Sequence, residues 1–456
     1  MRTTKVHFLG ASGTVTGSKF LLETPSGNIL VDCGLFQGLK ELREHNWNAF
    51  PFPVPSIDFV LLTHGHLDHT GYLPRLIKQG FRGEILGTAP TLAIAKIILE
   101  DSAKIHEEEA ERANREGYSK HNPALPFYTK EEAQKTIRFF KAIQTGEWIS
   151  LLNEIKVRFQ CNGHIIGSTF IEIDIYSKRF VFSGDIGRND DFLLEPPRKP
   201  EWADYLFLES TYGNKLHPKE DVSKTLMELA LRTLNSKGTL IIPSFAVERL
   251  QTLMFLFWSL YRKNNIPNIP VFIDSPMGNS VFNVFEQFPD WHKLSPSDLR
   301  NMEQRMTIVS SYKETWQTID DPRAKVVIAG SGMITGGRVL TYLKQLLDEV
   351  TTTVLLVGYQ SEGTRGRQLL EGAHEIRLFG KYIPVHADVH HIEGLSSHAD
   401  QQGIMDWIST IKNIPEEVFL IHGESTARDA LRVKIQDTHH WRTSMPKMYD
   451  IVELMV

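Results

Sequence analysis

Cysteine is nearly absent: Cys33 and Cys161 are the two thiols in 456 residues, far apart and in no C-x-x-C pattern. That excludes a disulfide framework and a thiolate metal knuckle, and it fits a reducing cytoplasm. Long apolar runs are missing as well. No stretch approaches the roughly 20 apolar residues of a membrane span, and the start "MRTTKVHFLG" lacks a basic segment followed by an apolar core. Neither membrane insertion nor secretion is expected. A surplus of positive charge is also absent, since the formal net charge is -5. A polyanionic substrate would have to be drawn by local features and not by a global field. Internal repeats, low-complexity tracts and flexible linkers are not found. What is present is 41% hydrophobic and 23% charged residues, over a length sufficient for two or three domains. A soluble globular enzyme is the expectation.

Short β-like segments come first, in "KVHFLG", "KFLLE", "NILVDCG" and "DFVLLTHG", separated by the turn chemistry of "ASGTVTG" and "TPSGN". "GYLPRLIKQG" then predicts a helix, with Leu73, Leu76 and Ile77 on one face and Gly80 as its stop. Residues 91 to 145 read as largely helical, with "IHEEEAERANREG" as a solvated face or a lid. From about residue 212 the grammar changes. The strands "GTLIIPSF", "IPVFIDSP", "AKVVIAGSG" and "TTTVLLVGY" alternate with helical stretches at 223–236, 246–263 and 337–349, the pattern of a parallel α/β sheet. The glycine-rich "GSGMITGG" lacks the G-x-G-x-x-G spacing and an acidic ribose partner, so a dinucleotide site is not expected. Near residue 385 short strands return, in "VHADVHHIEG" and "EEVFLIHGES", and are expected to rejoin the first domain. The expected divisions are 1–208, an insert at 209–384, and a return segment at 385–456.

The densest chemistry is "THGHLDHTG", where His64, His66, Asp68 and His69 form H-x-H-x-D-H at a strand-to-helix junction. Alternate histidines of an extended segment point one way, and the turn brings Asp68 and His69 around the same centre. Imidazole and carboxylate ligands without cysteine suit zinc with an open position, and so many ligands this close suggest two adjacent ions. Further candidates end apolar strands: Asp32 in "ILVDCG", His164 in "CNGHIIGS", Asp185 in "FVFSGDIGR" and His422 in "VFLIHGES". Each alone could be a capping or turn residue. Their shared placement makes them candidates for one site.

On these residues the chain resembles the metallo-β-lactamase superfamily, and the insert flanked by Glu209 in "FLESTYG", His398 in "SSHAD" and His422 in "HGE" looks like the β-CASP branch. The resemblance implies an α/β protein: an αββα metallo-β-lactamase sandwich carrying an inserted β-CASP domain of parallel-sheet type. It implies two Zn2+ ions, one held by His64, His66 and His164, the other by Asp68, His69 and His422, with Asp185 bridging and Asp32 fixing ligand histidines. Hydrolysis of RNA phosphodiesters by a hydroxide activated between the metals is then implied, with His398 as general acid and Glu209 orienting it. A histidine at the position of His422 is similar to the RNA-processing members and unlike the DNA-repair nucleases. Phosphate contacts are expected from Ser331 and Gly332 in "GSGMITGG" and from Arg365 and Arg367 in "GTRGR", against the plainer reading of a turn with solvated arginines. Tyr212 and Tyr359 are weaker candidates for base stacking, Arg338 a weaker one for phosphate, and Cys33 reads as packing. Single-stranded RNA is the expected partner, chosen by the two core domains or with help from another protein. A homodimer is compatible with the sequence. Competing readings are a lactone, thioester or lactam hydrolase, a DNA-directed nuclease of the same branch, and a catalytically silent scaffold.

Overall fold

The computed structural model describes residues 2–117, 119–361 and 363–456. Its contacts divide the chain into two compact units, Met1–Leu216 with His398–Val456, and His217–Ser397.

The first unit contains two seven-stranded sheets. One runs Ile451–Met455, Thr3–Phe8, Phe20–Thr24, Gly27–Val31, Ile57–Leu61, Glu84–Thr88 and Phe140–Ile143 in spatial order. The other runs Thr443–Ser444, Glu417–Ile421, Tyr205–Glu209, Lys178–Phe182, Thr169–Ile175, Ile155–Cys161 and Ile149–Leu152. Period-two alternation explains the layering. Phe180, Phe182, Phe207, Phe419 and Ile421 point into a core shared with Val6, Phe8, Leu22, Ile29 and Val31 of the facing sheet. Their neighbours Val181, Leu206, Leu208, Val418 and Leu420 point the other way, onto Ile404, Trp407 and Ile408 of the helix Gln401–Ile408 and Leu431 and Ile435 of the helix Ser425–His439. On the other flank Leu21, Leu30, Val60 and Ile85 meet Leu73, Leu76 and Leu99 of two helices, Leu73–Lys78 and Ala89–Glu116. The central strands are largely apolar because both faces are covered, and each fully buried Leu, Ile or Phe contributes about 1.5–3 kcal/mol. Within the core the rings of Phe182 and Phe207 stack at 4.1 Å. The architecture is αββα.

Residues 91–145 are less helical than the sequence predicts. The helix Ala89–Glu116 stops at Gly117, whose φ is +67°. A second helix spans Lys130–Ile137, and Phe140–Ile143 then pairs in parallel with Glu84–Thr88 as the edge of the first sheet. Because that strand is half exposed, its short apolar run carries no clear period.

The second unit contains a six-stranded parallel sheet, ordered Thr307–Ile308, Val271–Asp274, Lys325–Ala329, Thr239–Pro243, Thr352–Val357 and Asp388–Ile392, beside an antiparallel pair Glu375–Leu378 and Lys381–Pro384. Helices at Val222–Asn235, Arg249–Arg262 and Val339–Leu346 alternate with these strands. The strand in "VHADVHHIEG" does not open the return segment: Asp388–Ile392 pairs with Thr353–Val357 and closes this sheet, and the chain re-enters the first unit at His398. Its polar, half-buried pattern marks an edge strand but not which sheet it edges.

Candidate metal centre

Parallel pairing collects the functional side chains. Gly27–Val31 and Ile57–Leu61 run parallel in one sheet, and Lys178–Phe182, Tyr205–Glu209 and Glu417–Ile421 run parallel in the other. The residues that follow their carboxyl ends are Asp32, Thr63 and His64, Asp185, Ser210 and Thr211, and His422, while Glu209 is itself a strand's last residue. Between His64 and His66 the backbone passes so close to the helix Ala89–Glu116 that a Cβ on Gly65 would stand 2.6 Å from the Ile94 side chain. Glycine lets the two histidines swing inward there.

Three donor groups result. Nδ1 of His66 lies 3.0 Å from Nε2 of His64 and 3.3 Å from Nε2 of His164. Oδ2 of Asp185 lies 3.5 Å from both of those Nε2 atoms. In the second group Nε2 of His422 is 3.2 Å from Nε2 of His69 and 3.5 Å from Oδ2 of Asp68. Oδ1 of Asp185 faces this group, 3.4 Å from Nε2 of His69. The third group is Asp185, Glu209 and His398, with Nδ1 of His398 3.3 Å from Oε1 of Glu209 and Nε2 of His398 3.9 Å from Oδ2 of Asp185.

These spacings fit metal ions. Tetrahedral ligands about 2.0–2.1 Å from zinc stand roughly 3.3–3.4 Å apart, and the separations within the first two groups bracket that value, from 3.0 Å between His64 and His66 to 3.9 Å between His69 and Asp68. Oδ1 of Asp185 is buried with no hydrogen-bond partner among the described residues, a cost that a cation removes. Three ring nitrogens converging on one point cannot all satisfy one another with single protons either. His64, His164, His69, His422 and Asp185 are buried, whereas His66, Asp68 and His398 are half-buried and mark the open side.

Polar residues behind these side chains hold their orientation. Oδ2 of Asp32 is 2.7 Å from Nδ1 of His69, which leaves Nε2 facing the centre. Asp32 also accepts from the Thr63 amide at 2.9 Å and from the Thr63 and Ser18 hydroxyls. The Thr63 hydroxyl lies 3.1 Å from Nδ1 of His64, and the Thr211 hydroxyl 3.1 Å from Nδ1 of His422. Sequence reasoning singled out Asp32 but missed Thr63, Thr211 and Ser18. Thr63 and Thr211 sit inside the quoted motifs "THGH" and "FLESTYG", and Ser18 in a plain turn.

Electrostatics divide the histidines. Burial, reinforced by neighbouring imidazoles, pushes His64 well below its ordinary range, and burial brings His66 to about 4. Both are neutral and ready to ligate. His69 behaves oppositely: burial pulls it down, but the carboxylates of Asp185 and Asp32 outweigh that and raise it to about 10. At His398 burial is likewise outweighed, by the charge and hydrogen bond of Glu209, and the ring is raised to about 9. Glu209 is fully buried and accepts from the Ile186 and Thr211 amides. Burial raises its pKa, but the charge and hydrogen bond of His398 prevail and lower it.

The four candidates of the insert lie in the other unit. The Ser331 hydroxyl accepts from the Thr335 amide at 3.1 Å, and a Cβ on Gly332 would stand 2.7 Å from the Phe245 ring. Arg365 donates through Nε to the Arg377 carbonyl and through Nη1 to the Ile334 carbonyl, and Arg367 pairs with Glu371 one turn on. Arg338 is held by Asp274 and Thr315. Tyr359 is exposed, and the Tyr212 ring centroid is 6.1 Å from that of His398. Cys33 packs among Leu9, Leu21 and Leu30, as expected.

Comparison with known proteins gives three matched regions. Residues 13–242 match the metallo-beta-lactamase superfamily, 250–369 the Beta-Casp domain, and 382–446 the Zn-dependent metallo-hydrolase RNA specificity domain. Over 422 residues the chain is 32% identical to Ribonuclease TTHA0252 of Thermus thermophilus, covering 91% of this chain and 92% of that protein. It is 29% identical over 444 residues to Transcription termination factor FttA of Methanocaldococcus jannaschii, covering 92% of this chain and 67% of that protein. A crystal structure of a protein of unknown function from Enterococcus faecalis V583 shares the fold with a TM-score of 0.57 at 14% identity, over 99% of this chain and 100% of that one.

Proposed function

The chain belongs to the β-CASP branch of the metallo-β-lactamase superfamily, a metal-dependent hydrolase family, and from that premise we propose that it is a two-zinc ribonuclease cleaving single-stranded RNA. The observation that carries the reading is the bridging position of Asp185, one oxygen toward each group of ring nitrogens. His64, His66 and His164 would hold one ion and Asp68, His69 and His422 the other. Zinc, when bound, supplies Lewis acidity that lowers the pKa of a water to near neutrality and offsets charge building on the phosphodiester. The rest belongs to the chain. Asp32 and Thr211 hold His69 and His422 with Nε2 facing inward. Glu209 accepts from Nδ1 of His398 and helps raise that ring to about 9, so at neutral pH the imidazolium also carries a proton on Nε2, 3.9 Å from Asp185, to be given to the departing ribose oxygen. Ser331, Gly332, Arg365 and Arg367 are proposed as phosphate contacts, because they follow the carboxyl ends of parallel strands where open α/β sheets receive ligands.

The RNA reading rests on the matched RNA specificity domain and on the ribonuclease relative. Incubating zinc-loaded protein with labelled single-stranded RNA, matched single-stranded DNA and a chromogenic lactam tests it. RNA cleavage that stops on chelation is expected, with DNA and the lactam untouched. Equal cleavage of RNA and DNA removes the RNA assignment, and lactam turnover alone replaces it with a small-molecule hydrolase.

A further inference from the structure

A buried lysine stands behind the candidate centre. Lys19 is 5% exposed, and its Nζ donates to the Gly34 carbonyl at 2.5 Å. The ring centroids of Phe36 and Tyr72 lie 4.5 and 5.2 Å from Nζ, close enough for both faces to attract the cation. Among the described residues no carboxylate pairs with it, and the nearby Cys33 thiol, pushed up to about 12 by burial, stays neutral. An uncompensated buried ammonium is costly for folding, and burial lowers Lys19 to about 8, so the charge persists at neutral pH against that cost.

The segment Lys19 grips is laced to one set of ligands. The Cys33 amide donates to the His69 carbonyl at 2.7 Å, the Leu35 amide to the Leu67 carbonyl at 3.1 Å, and the Tyr72 amide back to the Cys33 carbonyl at 2.9 Å. The Gly34 amide donates to the Ser18 carbonyl and the Ser18 amide to the Asp68 carbonyl. Contact there is so close that a Cβ on Gly34 would lie 1.5 Å from the Asp68 carbonyl oxygen. These bonds hold the turn Leu67–Thr70, which presents Asp68 and His69. None of them runs to His64 or His164, and the turn meets the first group only where the His69 and Thr70 amides donate to the His66 carbonyl.

We propose that Lys19 is a positioning residue for the ion of Asp68, His69 and His422: its ammonium, set between two rings, clamps the Gly34 carbonyl and so fixes the turn that aims Asp68 and His69. This rests on the reading that those three residues hold an ion. A charge-assisted bond to a carbonyl is stronger and shorter than a neutral one, which suits a clamp better than a hydroxyl or amide would.

Zinc titration of metal-stripped protein against a competing chelator, with thermal unfolding of the same metal-stripped samples, tests the proposal. Wild type is expected to bind two ions. Lys19→Met keeps the length and removes the charge; it is expected to weaken one ion by roughly 10–100-fold, as loss of a residue behind a ligand does, while the metal-free Tm stays near that of wild type or rises. In an Asp68→Ala background, where the remaining ion belongs to the three-histidine group, adding Lys19→Met is expected to leave its affinity unchanged. Phe36→Leu takes one ring from the ammonium and should show a weaker form of the same selective loss, which keeps the test decisive if Lys19→Met does not fold. With two ions in wild type, full wild-type affinities in both variants would overturn the role of Lys19. So would a fall in metal-free Tm accompanied by equal loss at both ions, since that is a general packing defect. A wild type that binds one ion or none would overturn the two-ion reading itself.

Discussion

Two kinds of histidine share the centre, and single substitutions separate them. Removing His64 should take away a proposed ligand, so metal content and activity are expected to fall together. His398 pairs through Nδ1 with Glu209, and its Nε2 lies 3.9 Å from Oδ2 of Asp185. His398→Ala should therefore keep both ions while slowing RNA cleavage on the order of 10²–10⁴-fold, the usual contribution of a general acid. RNA with sulfur at the leaving position restores much of that rate, because a thiolate departs without a proton; equal slowness on both substrates would show that His398 binds substrate instead. A second contrast concerns protonation in the metal-stripped protein. His69 is raised to about 10 by Asp185 and Asp32 against the pull of burial, whereas His66 is lowered to about 4 by burial. At pH 7.5 the His69 ring should then carry both protons and the His66 ring only one, which ring-nitrogen NMR shifts distinguish. Zinc must displace a His69 proton, so the ion at that group should bind more tightly as pH rises from 6.5 towards about 10. Pattern alone shows little of this: nothing in "THGH" or "LVDCG" says that Asp32 meets His69, 37 positions away.

At the scale of elements, legibility follows from how local each signal is. The H-x-H-x-D-H candidates lie on one strand end and one helical turn, so their convergence can be read within six positions. His164, Asp185 and His422 are legible as candidates because each follows an apolar run, and parallel pairing of Lys178–Phe182, Tyr205–Glu209 and Glu417–Ile421 is what brings Asp185 and His422 to one place. Thr63, Thr211 and Lys19 are not legible, since a threonine or lysine beside a strand is ordinarily solvated, and their roles depend on contacts across the fold. Two strands escape the sequence pattern for a related reason. Phe140–Ile143 sits inside an expected helical region and Asp388–Ile392 inside an expected return segment, yet both are edge strands whose partners, Glu84–Thr88 and Thr352–Val357, are set by free sheet edges. Sheet membership is a tertiary property, and short half-buried runs do not encode it.

At the scale of the whole molecule, every proposed ligand comes from one of the two units. His64, His66, Asp68, His69, His164 and Asp185 lie in Met1–Leu216 and His422 in His398–Val456, so the ions tie the return segment to the body of its own unit. Metal binding stabilises whatever state forms the site by RT ln(1 + [L]/Kd), and nothing in His217–Ser397 contributes a ligand. Chelation should therefore loosen the first unit selectively. Hydrogen exchange by mass spectrometry, on zinc-loaded and chelator-treated protein at one pH, reads this element by element. Protection is expected to fall around Asp32, at 61–70, around Asp185 and at 421–424, where backbone hydrogen bonds end at ligands. The parallel strands Thr239–Pro243 and Lys325–Ala329 of the second unit, buried and paired on both sides, are expected to exchange as before. A loss of protection spread evenly over both units would mean that the ions stabilise the chain as one cooperative body. A loss confined to the second unit would contradict the assignment of the ligands.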